Sequence, residues 1–421
     1  MGKSYAVDEF GRRSFHSVCA VNLELDRRLE SPFATRNVGE ICRQLEALLR
    51  VDICDGHTLL FIDEIQSCPD ALVSLRAFKE QRPELHVIAA GSLLEFALHD
   101  KGLYSFPVGR VSFSYLNPMS FAEFLHALNE ARALEVVSAA TPLNPCPPAI
   151  HDRLLELVRL YVIIGGMPEV VEVYRTTQSI LDARRVQNRI VQAFVADFIK
   201  YGARYNHSKL PLIFNTIPRL VGRKFKYSHV DPDSKARDLK QPLIDLERSG
   251  LVKLVRASHC NGIPLGAEER EGIFKVQCLD IGLMMNSLGI DPFSLPISSF
   301  LFAHEGALAE QFVGQELLAA LPPIQEPRLH FWARDKAGSE AEVDFVTTIV
   351  VEPFGEIIVP IEVKAGTTGT LRSLRVFMKE KNSSIGIRIS QHPLSYTDGI
   401  LSVPLYMIRD IPRLVRRCLT A

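Results

Sequence analysis

The sequence is short of the features that assign a chain quickly. Its eight cysteines (Cys19, Cys42, Cys54, Cys68, Cys146, Cys260, Cys278, Cys418) are scattered, with no C-x-x-C pair. That spacing excludes a disulfide framework and a ribbon-type zinc site, and points to reduced thiols in a cytoplasmic chain. No apolar run reaches the ~20 residues a membrane-spanning helix needs, and the N-terminus has no apolar signal core, so no membrane partner is expected. Neither sign of charge is in excess: 48 Lys+Arg face 49 Asp+Glu in 421 residues, so any nucleic-acid surface must be local. With 47% hydrophobic and 23% charged residues the composition is that of an ordinary globular protein. The length gives room for about two to four domains.

What is present centres on Leu59, Leu60, Phe61 and Ile62, which run straight into Asp63 and Glu64. A short continuous apolar run suits a strand buried on both faces of a parallel sheet. Carboxylates at the carboxyl end of such a strand stand where open α/β sheets bind ligands. In a P-loop ATPase this is the Walker B place: Asp63 helps hold Mg²⁺, and Glu64 orients the attacking water. The plainer alternative is a buried strand ending in two solvated acids. Gly2, Lys3 and Ser4 match the last three positions of G-x-x-x-x-G-K-[ST]. There the lysine reaches the outer phosphates of ATP, the serine binds Mg²⁺, and the helix N-terminus faces the negative charge. The first glycine of the loop and its preceding strand are missing, so a truncated or miscalled start is expected.

Further strands are expected over 18–25, 85–90 and 111–115, with helices over 38–49 and 72–79. Ser92 would follow the second of these strands, either as a polar sensor of the outermost phosphate or as a helix N-cap. Arg110 would contact phosphate, in cis or across a subunit boundary, or be an ordinary surface arginine.

Ile62 to Gln66, Ala90-Gly91-Ser92, Gly109-Arg110 and Leu116 to Phe124 together resemble the archaeal and bacterial AAA-type ATPases that carry a DUF4143 C-terminal region. The order and spacing of these stretches carry the resemblance. It implies ATP and Mg²⁺ as cofactors, a P-loop segment upstream of Met1, and possible assembly as a homo-oligomer.

Residues 131–150, rich in alanine and proline, read as an exposed loop or linker. Helices are expected over 151–162, 181–200 and 212–220, with Gly165-Gly166-Met167-Pro168 breaking the first; this break resembles the same family and equally reads as a plain turn. Pro242 is expected to open a short helix that stops at Gly250, before a strand over 251–255. Helices, turn and β-ribbon in that order outline a winged helix. Arg219, Arg223, Lys224, Lys226, Lys235, Arg237 and Lys240 make the segment locally basic. It is either a DNA-contacting surface or a solvated face of a packing module.

In the last third, a strand running into a turn is expected over 274–283, and strands over 329–333, 341–346 and 357–363. Alternation puts Glu362 and Lys364 on one strand face, and a neighbouring strand can supply Asp344. Metal-dependent phosphodiester cleavage needs carboxylates for one or two Mg²⁺ ions and a lysine to steady developing charge. Outward polar residues on ordinary strands are the plainer alternative. The set resembles the PD-(D/E)xK nuclease superfamily, with Glu310 as the helix acid followed by Asp344, Glu362 and Lys364. Val343 stands where that superfamily's name has proline.

The expected architecture is multidomain α/β. A P-loop NTPase parallel sheet covers 1–135, a helical lid 136–204, a winged-helix module 205–260, and a restriction-endonuclease-like α/β domain 261–421. The expected function is that of an ATP-binding and ATP-hydrolysing AAA-type protein that acts on DNA through a C-terminal metal-dependent site. Its catalytic residues are Glu64, Glu310, Asp344, Glu362 and Lys364. Its cofactor-binding residues are Gly2, Lys3, Ser4, Asp63, Ser92 and Arg110, and its metal ligands are Ser4, Asp63, Asp344 and Glu362. The alternative is a non-catalytic regulatory or scaffold protein with a degenerate P-loop, binding a protein partner.

Overall fold

The computed structural model describes residues 2–91, 109–205, 209–291, 305–334, 341–364 and 370–420, and for 199–205 and 305 the backbone alone. Ser92 lies outside the described residues. The chain forms two compact units, Met1–Leu116 and Asn117–Ala421. No described helix is long and apolar enough to cross a membrane.

The first unit alternates helix and strand: α1 (Lys3–Ser14), β1 (Ser17–Asn22), α2 (Val38–Leu49), β2 (Thr58–Asp63), α3 (Pro69–Gln81) and β3 (His86–Ala89). Its strands form a parallel sheet in the order β1-β2-β3. β2 is central and buried at every residue, which is why it reads as an unbroken apolar run. Val38, Ile41 and Leu45 of α2 bury the helical stripe legible in the sequence. Asn37 opens that helix by accepting the Glu40 N–H. Val111–Tyr115 is not a strand. Alternating apolar residues form one only beside a ladder partner and a core, and Phe113 is 39% exposed.

The second unit opens with helices α4 (Phe121–Ala127), α5 (Ala131–Ala139), α6 (Pro148–Ile164), α7 (Pro168–Thr177), α8 (Ile180–Tyr205), α9 (Leu210–Leu220) and α10 (Ala236–Arg248). Two sequence expectations fail here. Residues 131–139 are helical, because alanine is the best helix former and the prolines start only at Pro142. Pro242 lies inside α10 instead of opening it. Burial of Leu239, Leu243 and Leu246 on one face offsets the one helical hydrogen bond that a proline removes.

The remaining elements are β4 (Val252–Ser258), β5 (Glu269–Cys278), α11 (Ile281–Ser287), α12 (Glu305–Ala319), β6 (Leu329–Ala333), β7 (Glu342–Val351), β8 (Gly355–Val363), α13 (Arg372–Glu380), β9 (Gly386–Ser390), β10 (Ser395–Thr397), β11 (Ile400–Pro404) and α14 (Ile411–Thr420). The strands make one mixed sheet, in the order β10-β11-β9-β8-β7-β6-β4-β5. β4 and β5 form an antiparallel hairpin, and β4 pairs in parallel with β6, so the hairpin is continuous with the rest of the sheet.

The edge strand β5 is closed by α12. Gln311 accepts the Cys278 N–H at 2.8 Å and donates to the Cys278 carbonyl at 2.9 Å, so one side-chain amide replaces a neighbouring strand. Gln277 donates to the Glu310 carbonyl at 2.8 Å. These bonds fix where Glu310 stands.

Candidate functional site

In the first unit, the carboxyl end of β2 meets the first turn of α1. Gly2 precedes that helix at φ 74°, a left-handed conformation that glycine takes without a Cβ clash. The turn delivers Lys3 and Ser4 together. The Ser4 hydroxyl donates to Asp63 Oδ2 at 2.8 Å, and Lys3 Nζ donates to the Gly91 carbonyl at the end of the neighbouring strand. Asn22, at the end of β1, donates to the same Asp63 oxygen at 3.4 Å. Burial pushes the Lys3 ammonium below the usual lysine range, against the opposing pull of Glu64 and Asp63.

Glu64 follows at φ 53°, rare for a residue with a side chain, and Gln66 donates to its carboxylate. Such outliers cluster at working sites. The donor set fits Mg²⁺ bound with a nucleotide: a hydroxyl and a carboxylate lie one hydrogen bond apart, leaving phosphate and water to complete the shell. Arg110 is not brought to this end. It pairs at 3.2 Å with Glu80, in the last turn of α3, which by then has returned to the amino-terminal edge of the sheet.

In the second unit, residues far apart in sequence meet in a charged cluster. β7 supplies Glu342 and Asp344, β8 supplies Glu362 with Lys364 just beyond its end, α12 supplies Glu310, and β5 supplies Lys275. Lys275 Nζ stands between three carboxylates, at 3.0 Å from Glu310, 2.8 Å from Glu342 and 3.6 Å from Asp344. Lys364 binds Glu362 Oε1 at 2.7 Å, and Lys224 binds Glu342 at 3.0 Å. Asp344 also accepts the Val363 N–H at 2.8 Å, where the β7–β8 ladder, which starts at Phe345 and Ile361, gives way. Among the described residues, the buried Glu362 Oε2 has no hydrogen-bond partner.

The electrostatics follow from burial. Glu310 is pushed up to about 8 by burial and then by Asp344, with Lys275 opposing. Glu362 is pushed up to about 7 by burial and Asp344. Burial opposes the charge on Lys275, but Glu310, Asp344 and Glu342 together outweigh it and raise the ammonium above its ordinary range. Glu342 is the exception among the acids. Burial would raise it, yet Lys275 and Lys224 hold it below the ordinary carboxylate range.

This arrangement does not fit a metal ion. Among the described residues no group of three or more His, Cys, Asp or Glu side chains can hold one. The space between Glu310, Glu342 and Asp344 belongs to Lys275. The structure thus brings together Glu310, Asp344, Glu362 and Lys364, and adds Lys275, Glu342 and Lys224, which the sequence reading missed. A lysine flanked by Phe274 and Val276 was the available signal, as was Glu342 two residues before Asp344 on the same strand face.

Family comparison agrees with the two ends of the chain. Residues 1–125 match the AAA domain family. Residues 305–408 match a domain of unknown function, DUF4143, and residues 155–294 match another, DUF8612. The first two matches are those the motif resemblance pointed to. DUF8612, which spans the helices from α6 and the β4–β5 hairpin, was not foreseen. No curated protein matches the chain.

Proposed function

We propose that this chain binds and hydrolyses ATP in its first unit and acts on DNA through its second. The observation that carries the ATP reading is the hydrogen bond from Ser4 to Asp63, with Lys3 on the same helical turn. When bound, Mg²⁺ neutralises charge on the outer phosphates. Ser4 and Asp63 are the residues that would hold it, and Lys3 meets the phosphates at the helix N-terminus. Glu64 orients the attacking water, and Gln66 restrains Glu64. Glu64→Gln is expected to retain ATP binding and to slow steady-state hydrolysis about 10²–10⁴-fold. Unchanged turnover would remove Glu64 from this role.

The DNA reading rests on the second unit. α12, β6, β7, β8, α13 and β9 follow one another as helix, three strands, helix and strand, with β7 antiparallel to β6 and β8, and β9 parallel to β8. This order is compatible with a restriction-endonuclease-like core. α9, α10 and the β4–β5 hairpin are compatible with a winged helix. Arg219, Arg223, Lys224, Lys226, Lys235, Arg237 and Lys240 are all exposed on that segment. Gly222, next to Arg223, is close enough that a Cβ would lie 3.4 Å from Glu310 Oε1, so the basic segment borders the carboxylate cluster. Fluorescence anisotropy with duplex DNA tests this: Arg223→Ala with Lys226→Ala should weaken binding and flatten the salt dependence by ~0.9 in log–log slope per lost phosphate contact. Salt-independent binding, or none, would count against it.

One observation favours a second reading, that of a regulatory or scaffold protein binding a protein partner. Lys275 fills the position from which a metal would work.

A further inference from the structure

We propose that Lys275 is a built-in counter-cation which keeps divalent metal ions out of the Glu310–Asp344–Glu362 cluster, and that withdrawing its ammonium opens a divalent-cation site there. The inference rests on reading this cluster as the working site of the second unit.

Geometry carries the first half. An ammonium at 2.8, 3.0 and 3.6 Å from three carboxylates occupies the space that Mg²⁺ or Mn²⁺ would need in order to ligate those same oxygens. Divalent ions sit ~2.0–2.6 Å from oxygen ligands, so ion and ammonium would overlap and repel. Lys275 is also well held: its side chain is 4% exposed, and its ammonium lies 5.4 Å from the centre of the Phe331 ring.

A second, separate observation points to a ligand. Glu362 is 7% exposed, and while its Oε1 accepts from Lys364, its buried Oε2 has no partner among the described residues. Buried carboxylate oxygens are rarely left so. Charge points the same way. With every group ionised, four carboxylates (Glu310, Glu342, Asp344, Glu362) face three ammoniums (Lys224, Lys275, Lys364), leaving one negative charge. Removing Lys275 leaves two, the charge of one divalent ion.

The test is Mn²⁺ binding by electron paramagnetic resonance on the full chain, without nucleotide or DNA. The expected result is one more bound Mn²⁺ per chain in Lys275→Met than in wild type, absent in Lys275→Arg and lost again when Asp344→Asn is added to Lys275→Met. A wild-type chain that already binds Mn²⁺ in a manner abolished by Asp344→Asn would overturn the exclusion. A folded Lys275→Met chain that gains no ion would overturn the site. Should Lys275→Met fold poorly, its melting temperature should rise with Mn²⁺ while that of wild type does not; no differential rise overturns the proposal as well. Assaying duplex DNA with the Mn²⁺-loaded variant separates the two readings. Ion gained without cleavage leaves the lysine's role standing and sinks the nuclease reading.

Discussion

Two buried polar clusters lie side by side in the second unit, both built from the β5 end and α12, and they handle charge in opposite ways. Around Asp280 the partners are backbone and amide groups. Gly166 N–H donates to one carboxylate oxygen at 2.6 Å and Leu283 N–H to the other at 3.0 Å. Gln315 donates to Asp280 at 3.2 Å and to the Tyr161 hydroxyl at 2.8 Å, while its own oxygen accepts the Ile281 N–H. Tyr161 in turn donates to the Met119 carbonyl. The fit leaves no room: a Cβ on Gly165 would lie 2.2 Å from Asp280 Oδ1, and one on Gly166 2.2 Å from the Met119 carbonyl oxygen. Around Lys275, by contrast, carboxylates face a buried ammonium, and one carboxylate oxygen has no partner among the described residues. Fixed dipoles aimed at a carboxylate fasten α4, the α6–α7 turn, α11 and α12 to one another. A buried ammonium among carboxylates is the arrangement proposed above to yield to a divalent ion. The contrast separates structural from chemical use of buried charge more sharply than burial alone.

Variants that break the comparison should differ in rescue. Lys275→Met leaves carboxylates buried without their cation and is expected to cost about 3–5 kcal/mol in urea unfolding, a loss that Mn²⁺ reduces. Asp280→Ala strands two backbone donors and Gln315, for about 2–4 kcal/mol, and Mn²⁺ should restore none of it. Equal rescue of both would erase the distinction.

A smaller effect sharpens it through pH. Glu316, on α12 beside the Asp280 cluster, accepts the Phe121 N–H at 2.8 Å. Burial, with the nearby Glu123 adding to it and the Phe121 N–H and Arg409 opposing, pushes its carboxyl from the ordinary 4.5 up to about 8. The folded chain therefore keeps this proton at pH values where the unfolded chain has lost it. Its contribution to stability is greatest below 4.5 and falls as pH rises towards about 8, at up to ~1.4 kcal/mol per pH unit. Glu316→Gln removes that titration, so stability measured across this window should slope less. An unchanged slope would mean Glu316 is ionised throughout. The smallest effect belongs to the rim: Lys224, 49% exposed, should contribute only ~0–1 kcal/mol through Glu342, as a Lys224→Ala melt would show.

Much of this was legible in the residues. The acid pair after Ile62 and the Glu362–Lys364 pair were readable because strand position and period-two alternation are local properties. The strand over 111–115 was misread for the converse reason: its alternation is local, but the ladder partner a strand needs is not. Lys275 was invisible as a site residue because its partners arrive from Glu310 on a helix and from Asp344 three strands away in the sheet. The Asp280 cluster was half legible. Met119, Gly166 and Asp280 each fall in a stretch already singled out, yet only the fold shows that they and Gln315 form one cluster.

The most direct measurement is titration calorimetry of Mg-ATP into the wild-type chain beside Lys3→Ala. Wild type should bind, and the variant should lose binding or weaken it by at least about tenfold, roughly the worth of one charge-assisted contact to phosphate. Binding that is indifferent to Lys3, or no binding by wild type, would contradict the assignment of Lys3, Ser4 and Asp63 as a nucleotide site.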